Sequence, residues 1–294
     1  MSIVRHMRPM GDVGRTGFVN SSARIAFSTL AFPDTTLASA VSLGRRWGYA
    51  GVELRLIDGE LIDPSMSAAD RARVRQTVTT AGLPVVAVDS SIRLTSDDDP
   101  GPQLRRFLEL ASDWESPLVR VFGGALAADR TERQNQLRAA ARVLESSVPL
   151  ARQLGVAIGV ETHDDFSASS VVAELLALVD SEGADPEWVG AVWDSHHPYR
   201  MGESPADVYA NLGRRILLAQ VKDARRKPDG DWELVLLGDG EVPVREMLGL
   251  LAAGGYQNWI SVEWEKRWHP EIAEPEVGLP QHRRVLTEWM EVKP

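Results

Sequence analysis

Short, continuous apolar runs recur along the chain, each followed by a stretch whose apolar positions step by three and four. The first run lies near 24–28. The others read AGVELR (50–55), LPVVAVD (83–89), PLVRVFGG (117–124), VAIGVE (156–161), WVGAVWD (188–194), ILLAQVKD (216–223) and WISVEWE (259–265). Runs this short, with no polar alternation, predict strands buried on both faces. Helices are expected at 36–47, 67–82, 103–114, 131–154, 169–180, 205–212, 242–254 and 280–291. Leu104, Phe107, Leu108 and Ala111 show the helical spacing. Thr131 and Pro205 suit first turns, and Gly82 and Gly155 suit helix stops.

Eight strand-then-helix units imply a parallel sheet. They close most simply into an α/β fold of one domain, a single (β/α)8 TIM barrel, which takes about 250 residues. The chain has 294. An open doubly wound sheet fits less well: the turn after the first strand, AFSTLAFPD, has no glycine with which to cradle a phosphate. Residues 1–22 read as a flexible tail and 23–294 as the barrel. Two long polar loops, 223–240 with a hairpin pattern inside it and 264–280, follow strand ends on the face where barrels carry their sites.

Four of the runs end in an oxygen-bearing side chain: Glu161, Asp194, Gln220 and Glu263. In a parallel barrel these ends converge. Burying an ionised carboxylate costs several kcal/mol, and a domain's whole stability is only about 5–15 kcal/mol. A cation is therefore expected among them, most simply a divalent metal. Strand side chains alternate, so His163 lies above Glu161, Lys222 above Gln220, and Glu265 above Glu263. Glu53 and Asp89 end their own runs, and Arg120 lies inside the fourth. Each has a plainer reading: a glutamine can satisfy buried neighbours, a lysine can pair with a carboxylate, and His163 and His197 can be core histidines. Glu265, Arg225, Arg226 and His269 are expected at the surface. Arg225, Arg226 and Lys227 could instead meet a phosphate.

Composition narrows the chemistry. A net charge of −10 argues against a nucleic-acid surface. The absence of cysteine removes disulfides, thiolate sites and cysteine nucleophiles, and suits a cytoplasmic setting. No run nears the roughly 20 residues that span a bilayer, and the first residues lack a signal peptide's apolar stretch. Nucleophile-elbow, P-loop and H-E-x-x-H patterns are absent.

The motifs VETHDD, WDSHH, QVKD, LGDGEVPV and SVEWE, in that order, resemble the xylose isomerase-like TIM barrels, in particular the sugar phosphate isomerase/epimerase group. The resemblance implies one metal ion held by Glu161, Asp194, the seventh-strand position and Glu263. That position is histidine in the family and Gln220 here, a harder oxygen donor that points to Mn²⁺ or Mg²⁺. It also implies a carbohydrate substrate whose hydroxyls meet Glu53, His163, His197 and Lys222. Glu161 and Glu263 would move the proton through an enediolate. Three alternatives stay open: a dehydratase or other lyase working by β-elimination, a non-catalytic sugar-binding or partner subunit, and, least of all, a zinc-dependent nuclease for abasic DNA. Six histidines and the acidic charge weigh against the last. Relatives often pair, so a homo-oligomer is expected; no nucleic-acid or membrane partner is.

Overall fold

The structure, a computed structural model, describes residues 24–181, 185 and 187–291. The tail expected at 1–22 lies outside the described residues. The eight barrel strands are β1 (Ile25–Ser28), β2 (Gly51–Leu54), β3 (Val85–Arg93), β4 (Leu118–Phe122), β5 (Ala157–Glu161), β6 (Val189–Asp194), β7 (Ile216–Val221) and β8 (Trp259–Val262). Each pairs in parallel with its sequence neighbours. β1 closes the ring against β8 through Ile25↔Ile260, and against β2 through Ala26↔Gly51. The fold is a single closed (β/α)8 barrel.

Local chemistry sets the helix ends. Thr36 caps α1 (Leu37–Arg46), and Ser67 caps α2 (Ala68–Ala81). After α3 (Pro100–Asp113), the Asp129 side chain accepts from Thr131 N and Glu132 N to start α4 (Arg130–Leu154). A capping box between Ser204 and Asp207 starts a later helix, Pro205–Leu212. Gly82 and Gly155 end their helices at φ 68°, the left-handed conformation glycine adopts without strain. Helix α5 (Ser169–Ser181) precedes the short α6 (His196–Arg200); α7 is Pro205–Leu212, α8 is Val244–Ala253 and α9 is Pro275–Glu291. Among the described residues, no helix is long and apolar enough to cross a membrane.

The boundaries differ from expectation at the carboxyl end of the barrel. Strands β7 and β8 stop at Val221 and Val262, short of the expected Asp223 and Glu265. Asp223 instead opens an antiparallel hairpin, Asp223–Arg226 with Trp232–Val235, inside the loop where a hairpin was expected. The last helix begins at Pro275, and Pro280, read as its start, lies within it. A second hairpin, Leu56–Ile57 with Glu60–Leu61, turns on Asp58 and Gly59 at φ 54° and 83°. That Asp-Gly signal was present in the sequence.

Two cores hold the barrel. The larger lies between strands and helices and includes Phe27, Leu104, Leu144, Leu175 and Leu251. The smaller, made of Ala87, Leu118, Ala157, Val192 and Leu218, lies on one face of the strands. Two residues beyond Ala87, Leu118, Val192 and Leu218, that face carries Asp89, Arg120, Asp194 and Gln220, and four beyond Ala157 it carries Glu161. The strands thus pass from an apolar layer to a charged one. Close strand contact needs glycine at 190, where a Cβ would fall 2.4 Å from the Arg215 carbonyl oxygen. Gly190→Ala should lower the unfolding free energy by about 1–3 kcal/mol, the usual cost of overpacking. Urea denaturation followed by circular dichroism would measure it.

Candidate active site and metal centre

The charged layer is buried: Glu53, Asp89, Asp194 and Gln220 are fully enclosed, and Glu161, Arg120 and Glu263 nearly so. Period two fixes its upper neighbours. Arg55 follows Glu53, Phe122 follows Arg120, His163 follows Glu161, Lys222 follows Gln220 and Glu265 follows Glu263. The sequence-predicted residues Glu53, Glu161, His163, Asp194, His197, Gln220, Lys222 and Glu263 all lie within or just above this layer.

Two cations bind the layer together. Lys222 Nζ lies 2.6 Å from Glu263 Oε2 and 3.2 Å from Asp194 Oδ2, and it also pairs with Glu265. It stands 3.2 Å from His197 Nε2. The Lys222 backbone is clamped by Ser195, whose hydroxyl donates to Lys222 O and accepts from Lys222 N. Arg120 lies across the barrel. Its Nε is 3.0 Å from Glu161 Oε2, one Nη is 3.5 Å from Asp89 Oδ2, and the other donates to Ser90 O. Its guanidinium stacks 4.0 Å from the Phe122 ring. Gln220 links the two halves, its Nε2 donating to Glu53 Oε1 at 2.7 Å and more weakly to Glu263 Oε1 at 3.4 Å.

Helix α6 positions His197. Asp194 Oδ1 accepts from the backbone N–H groups of His196 and His197. The two histidines therefore sit on a helical turn, not on a strand. His197 meets His163 edge-on at 4.5 Å, and His163 packs on Phe122 at 4.6 Å. From outside, Trp232 of the Asp223–Arg226 hairpin packs edge-on against His196 and Tyr199. Asp223 anchors that loop: its carboxylate accepts from the backbone N–H groups of Ala224, Gly238, Gly240 and Val242. A Cβ at Gly240 would lie 2.2 Å from Asp223 Oδ1, which is why LGDGEVPV needs glycine there.

Burial and neighbours set the protonation states. Burial raises Glu161 to about 7, although Arg120 and His163 oppose it. Burial also raises Asp194, to about 6 against the pull of Lys222, and raises Glu53 well above the carboxylate range, helped by Asp89. Burial pushes Glu263 upward too, but Lys222 outweighs it and holds this carboxyl below its ordinary value. Burial and the Lys222 charge depress His197 strongly, so its imidazole is neutral. A carboxyl raised by folding binds its proton more tightly in the native state, so its contribution to stability declines as pH climbs from the unfolded to the folded value. Metal-free Glu161→Gln should therefore gain stability relative to the metal-free parent between pH 4.5 and about 7, by on the order of 3 kcal/mol. Denaturant unfolding of both proteins across that range in chelator is the measurement.

The residues suit a divalent cation. Gln220 Oε1 is a buried oxygen without a hydrogen-bond partner, while Glu161 Oε2 and Asp194 Oδ2 are buried oxygens held only by the Arg120 and Lys222 charges, at 3.0 and 3.2 Å. Glu263, the fourth, has its oxygens turned to Gln220 and Lys222. A second group overlaps the first: Glu161, His163 and His197 offer donor atoms all within 4.8 Å of one another. It shares only Glu161 with the expected set, and its nitrogen donors suit softer ions than an all-oxygen set does.

Two residues of the layer were passed over or misplaced by sequence reasoning. Glu265, expected at the surface, is mostly buried against Lys222. Arg55 was missed, although a charge closing an apolar run was the available signal; Asp89 and Arg120, noted in the sequence without a role, pair with each other inside the layer. Arg225 and Arg226 are exposed, as expected.

The protein is thus a closed parallel (β/α)8 barrel whose strand ends gather acids, an amide and histidines, the donor types of a candidate divalent-metal site. The chain belongs to the xylose isomerase-like TIM barrel family, which matches residues 41–289. It is 22% identical over 244 residues to an inosose isomerase of Bacillus velezensis, covering 78% of this chain and 84% of that protein. Among solved structures it resembles the IOLI protein with a bound zinc atom, with 18% identity, a TM-score of 0.72, and 91% and 97% of the two chains covered. It also resembles the probable 3-DHS dehydratase AsbF of Bacillus anthracis, with 17% identity, a TM-score of 0.70, and 90% and 98% covered.

Proposed function

We propose that the protein is a divalent-metal-dependent isomerase or epimerase of a sugar or keto-polyol. The observation that carries this reading is the pair Glu161 and Glu263: two buried carboxyls in one layer, the first shifted up and the second down, beside the unpartnered Gln220 Oε1 and the Asp194 carboxylate. Glu161, Asp194, Gln220 and Glu263 would hold the ion, with Mn²⁺ or Mg²⁺ favoured by their oxygen donors. A divalent ion there supplies the charge that polarises a ketone carbonyl. Glu263, kept ionised by Lys222, takes the proton from the carbon beside that carbonyl, and the electron pair moves into the substrate as an enediolate. Glu161 returns a proton, either to the opposite face of the same carbon or to the neighbouring carbon. Neutral His197 and its neighbour His163 orient hydroxyls, and Lys222 fixes the base.

Incubating the Mn²⁺-loaded protein with ketoses in D₂O tests the proposal. The expected result is deuterium at the carbon next to the carbonyl, with the substrate otherwise intact; no exchange in any ketose or cyclic keto-polyol would sink it. One feature favours a second reading. Lys222 carries an ammonium 2.6 Å from Glu263 and could protonate a departing β-hydroxyl, which would make the protein a dehydratase. Loss of water from the product would select that reading.

A further inference from the structure

We infer that Glu53 is a positioning residue of the ion site: its carboxyl fixes the Gln220 amide with the oxygen toward the cation, and it is not a contact for substrate hydroxyls. The inference rests on the proposed ion site, in which Gln220 is a ligand, and adds what aims that ligand. An amide is two-sided. Rotated by half a turn, it presents Nε2, which only donates, where Oε1 stood. A carboxylate ligand has two equivalent oxygens and needs no such choice. A glutamine ligand needs a neighbour that selects its side.

The geometry at Gln220 makes the selection. Nε2 donates to Glu53 Oε1 at 2.7 Å and more weakly to Glu263 Oε1 at 3.4 Å, while Oε1 is buried without a hydrogen-bond partner. Half a turn would set Oε1 against two carboxyl oxygens and strand the amide N–H groups without acceptors. The contact reaches across part of the ring, since β1 and β8 lie between β2 and β7. Phe27 and Val262 face the helices, so their neighbours Ser28 and Ser261 turn inward. Ser28 pairs in register with Glu53, and Ser261 with Gln220. Two small side chains at that level leave the acid and the amide room to meet.

Asp89 fixes the other side of Glu53. A hydrogen bond joins the two carboxyl groups, so one of them carries a proton. Glu53 is the one: burial and the Asp89 charge raise it well above the ordinary carboxyl range, whereas Arg120 stands 3.5 Å from Asp89 Oδ2. Glu53 Oε2 and Asp89 Oδ1 have no other partner. With its proton turned to Asp89, Glu53 keeps Oε1 as an acceptor, which is what the amide requires. Both oxygens are then taken within the protein, and the residue is 0% exposed. A substrate hydroxyl would have to displace Gln220 or Asp89 to reach it.

Mn²⁺ titrated calorimetrically into the full chain tests the inference. Glu53→Met keeps much of the bulk and removes the acceptor. It should weaken the ion by about 10–100-fold, the usual effect of losing a group that orients a metal ligand. Glu53→Gln should stay within about threefold of the parent, because its carbonyl can accept from Gln220 while its amide N–H donates to Asp89. In a Gln220→Met background, Glu53→Met should have no further effect, since Glu53 acts through the amide. A crystal structure of the unaltered chain with Mn²⁺ gives a measurement that needs no variant: one end of the Gln220 amide on the ion and the other on Glu53. Four results each overturn the inference and leave the ion site standing. They are parent-like affinity in Glu53→Met, a loss in Glu53→Gln as large as in Glu53→Met, an undiminished loss in the Gln220→Met background, and a Glu53 oxygen on the ion. A parent chain that takes up no Mn²⁺ ends the ion site, and the inference falls with it.

Discussion

Glu263→Gln and Glu161→Gln are each expected to lower kcat by about a thousandfold, within the range that a positioned acid or base contributes. The amide keeps the shape of the side chain and can still accept, from Gln220 or Lys222 at 263 and from Arg120 at 161. It cannot take or hold a transferable proton. Near-native far-ultraviolet circular dichroism and a single cooperative urea transition would show that the fold survives. Metal content measured alongside the rate separates loss of the ion from loss of the proton carrier, since both residues are expected ligands. A variant that keeps its metal and turns over like the parent would remove that glutamate from the proton path.

Lys222→Met should lower the unfolding free energy of the metal-free protein by about 3–5 kcal/mol, the usual cost of stripping one partner from a buried charge cluster. Lys222 is 1% exposed and serves three acids. Methionine fills much of the same volume, so the loss is electrostatic. Adding Glu265→Gln to the variant should recover part of it by removing one unpaired charge, and Mn²⁺ should recover more. Equilibrium unfolding of the two variants with and without the ion gives the comparison. A loss below about 1 kcal/mol would mean that these acids are not held in a poorly solvated layer.

The barrel was legible because its signals are local. Apolar runs alternated with helical spacing, and Gly82 and Gly155 marked helix ends where the left-handed turn occurs. The strand ends were overrun at Asp223 and Glu265 because period-two alternation continues past the last ladder hydrogen bond. The same continuation placed Lys222 and Glu265 correctly above the ligand layer. Reading 264–280 as loop nevertheless pushed Glu265 toward solvent, when an acid two residues beyond Glu263 points back at the same lysine. What stayed hidden was non-local. Gln220 finds Glu53 across 167 residues of chain, and no pattern near either residue announces the pairing. Trp232 gave no sign that it would steady the turn bearing His197.

The way Asp223 grips its loop bears on how such a protein can be altered. Its carboxylate takes hold of main-chain amides on both sides of the hairpin, so the grip does not depend on the residues at the tip, and the crossing strands beneath it are left alone. Segment 225–231 can therefore be exchanged in a library while Asp223, Trp232, Gly238 and Gly240 are kept. Variants of that kind should fold as the parent does and differ in which compounds pass the entrance, making the hairpin the place to begin selecting for new specificity.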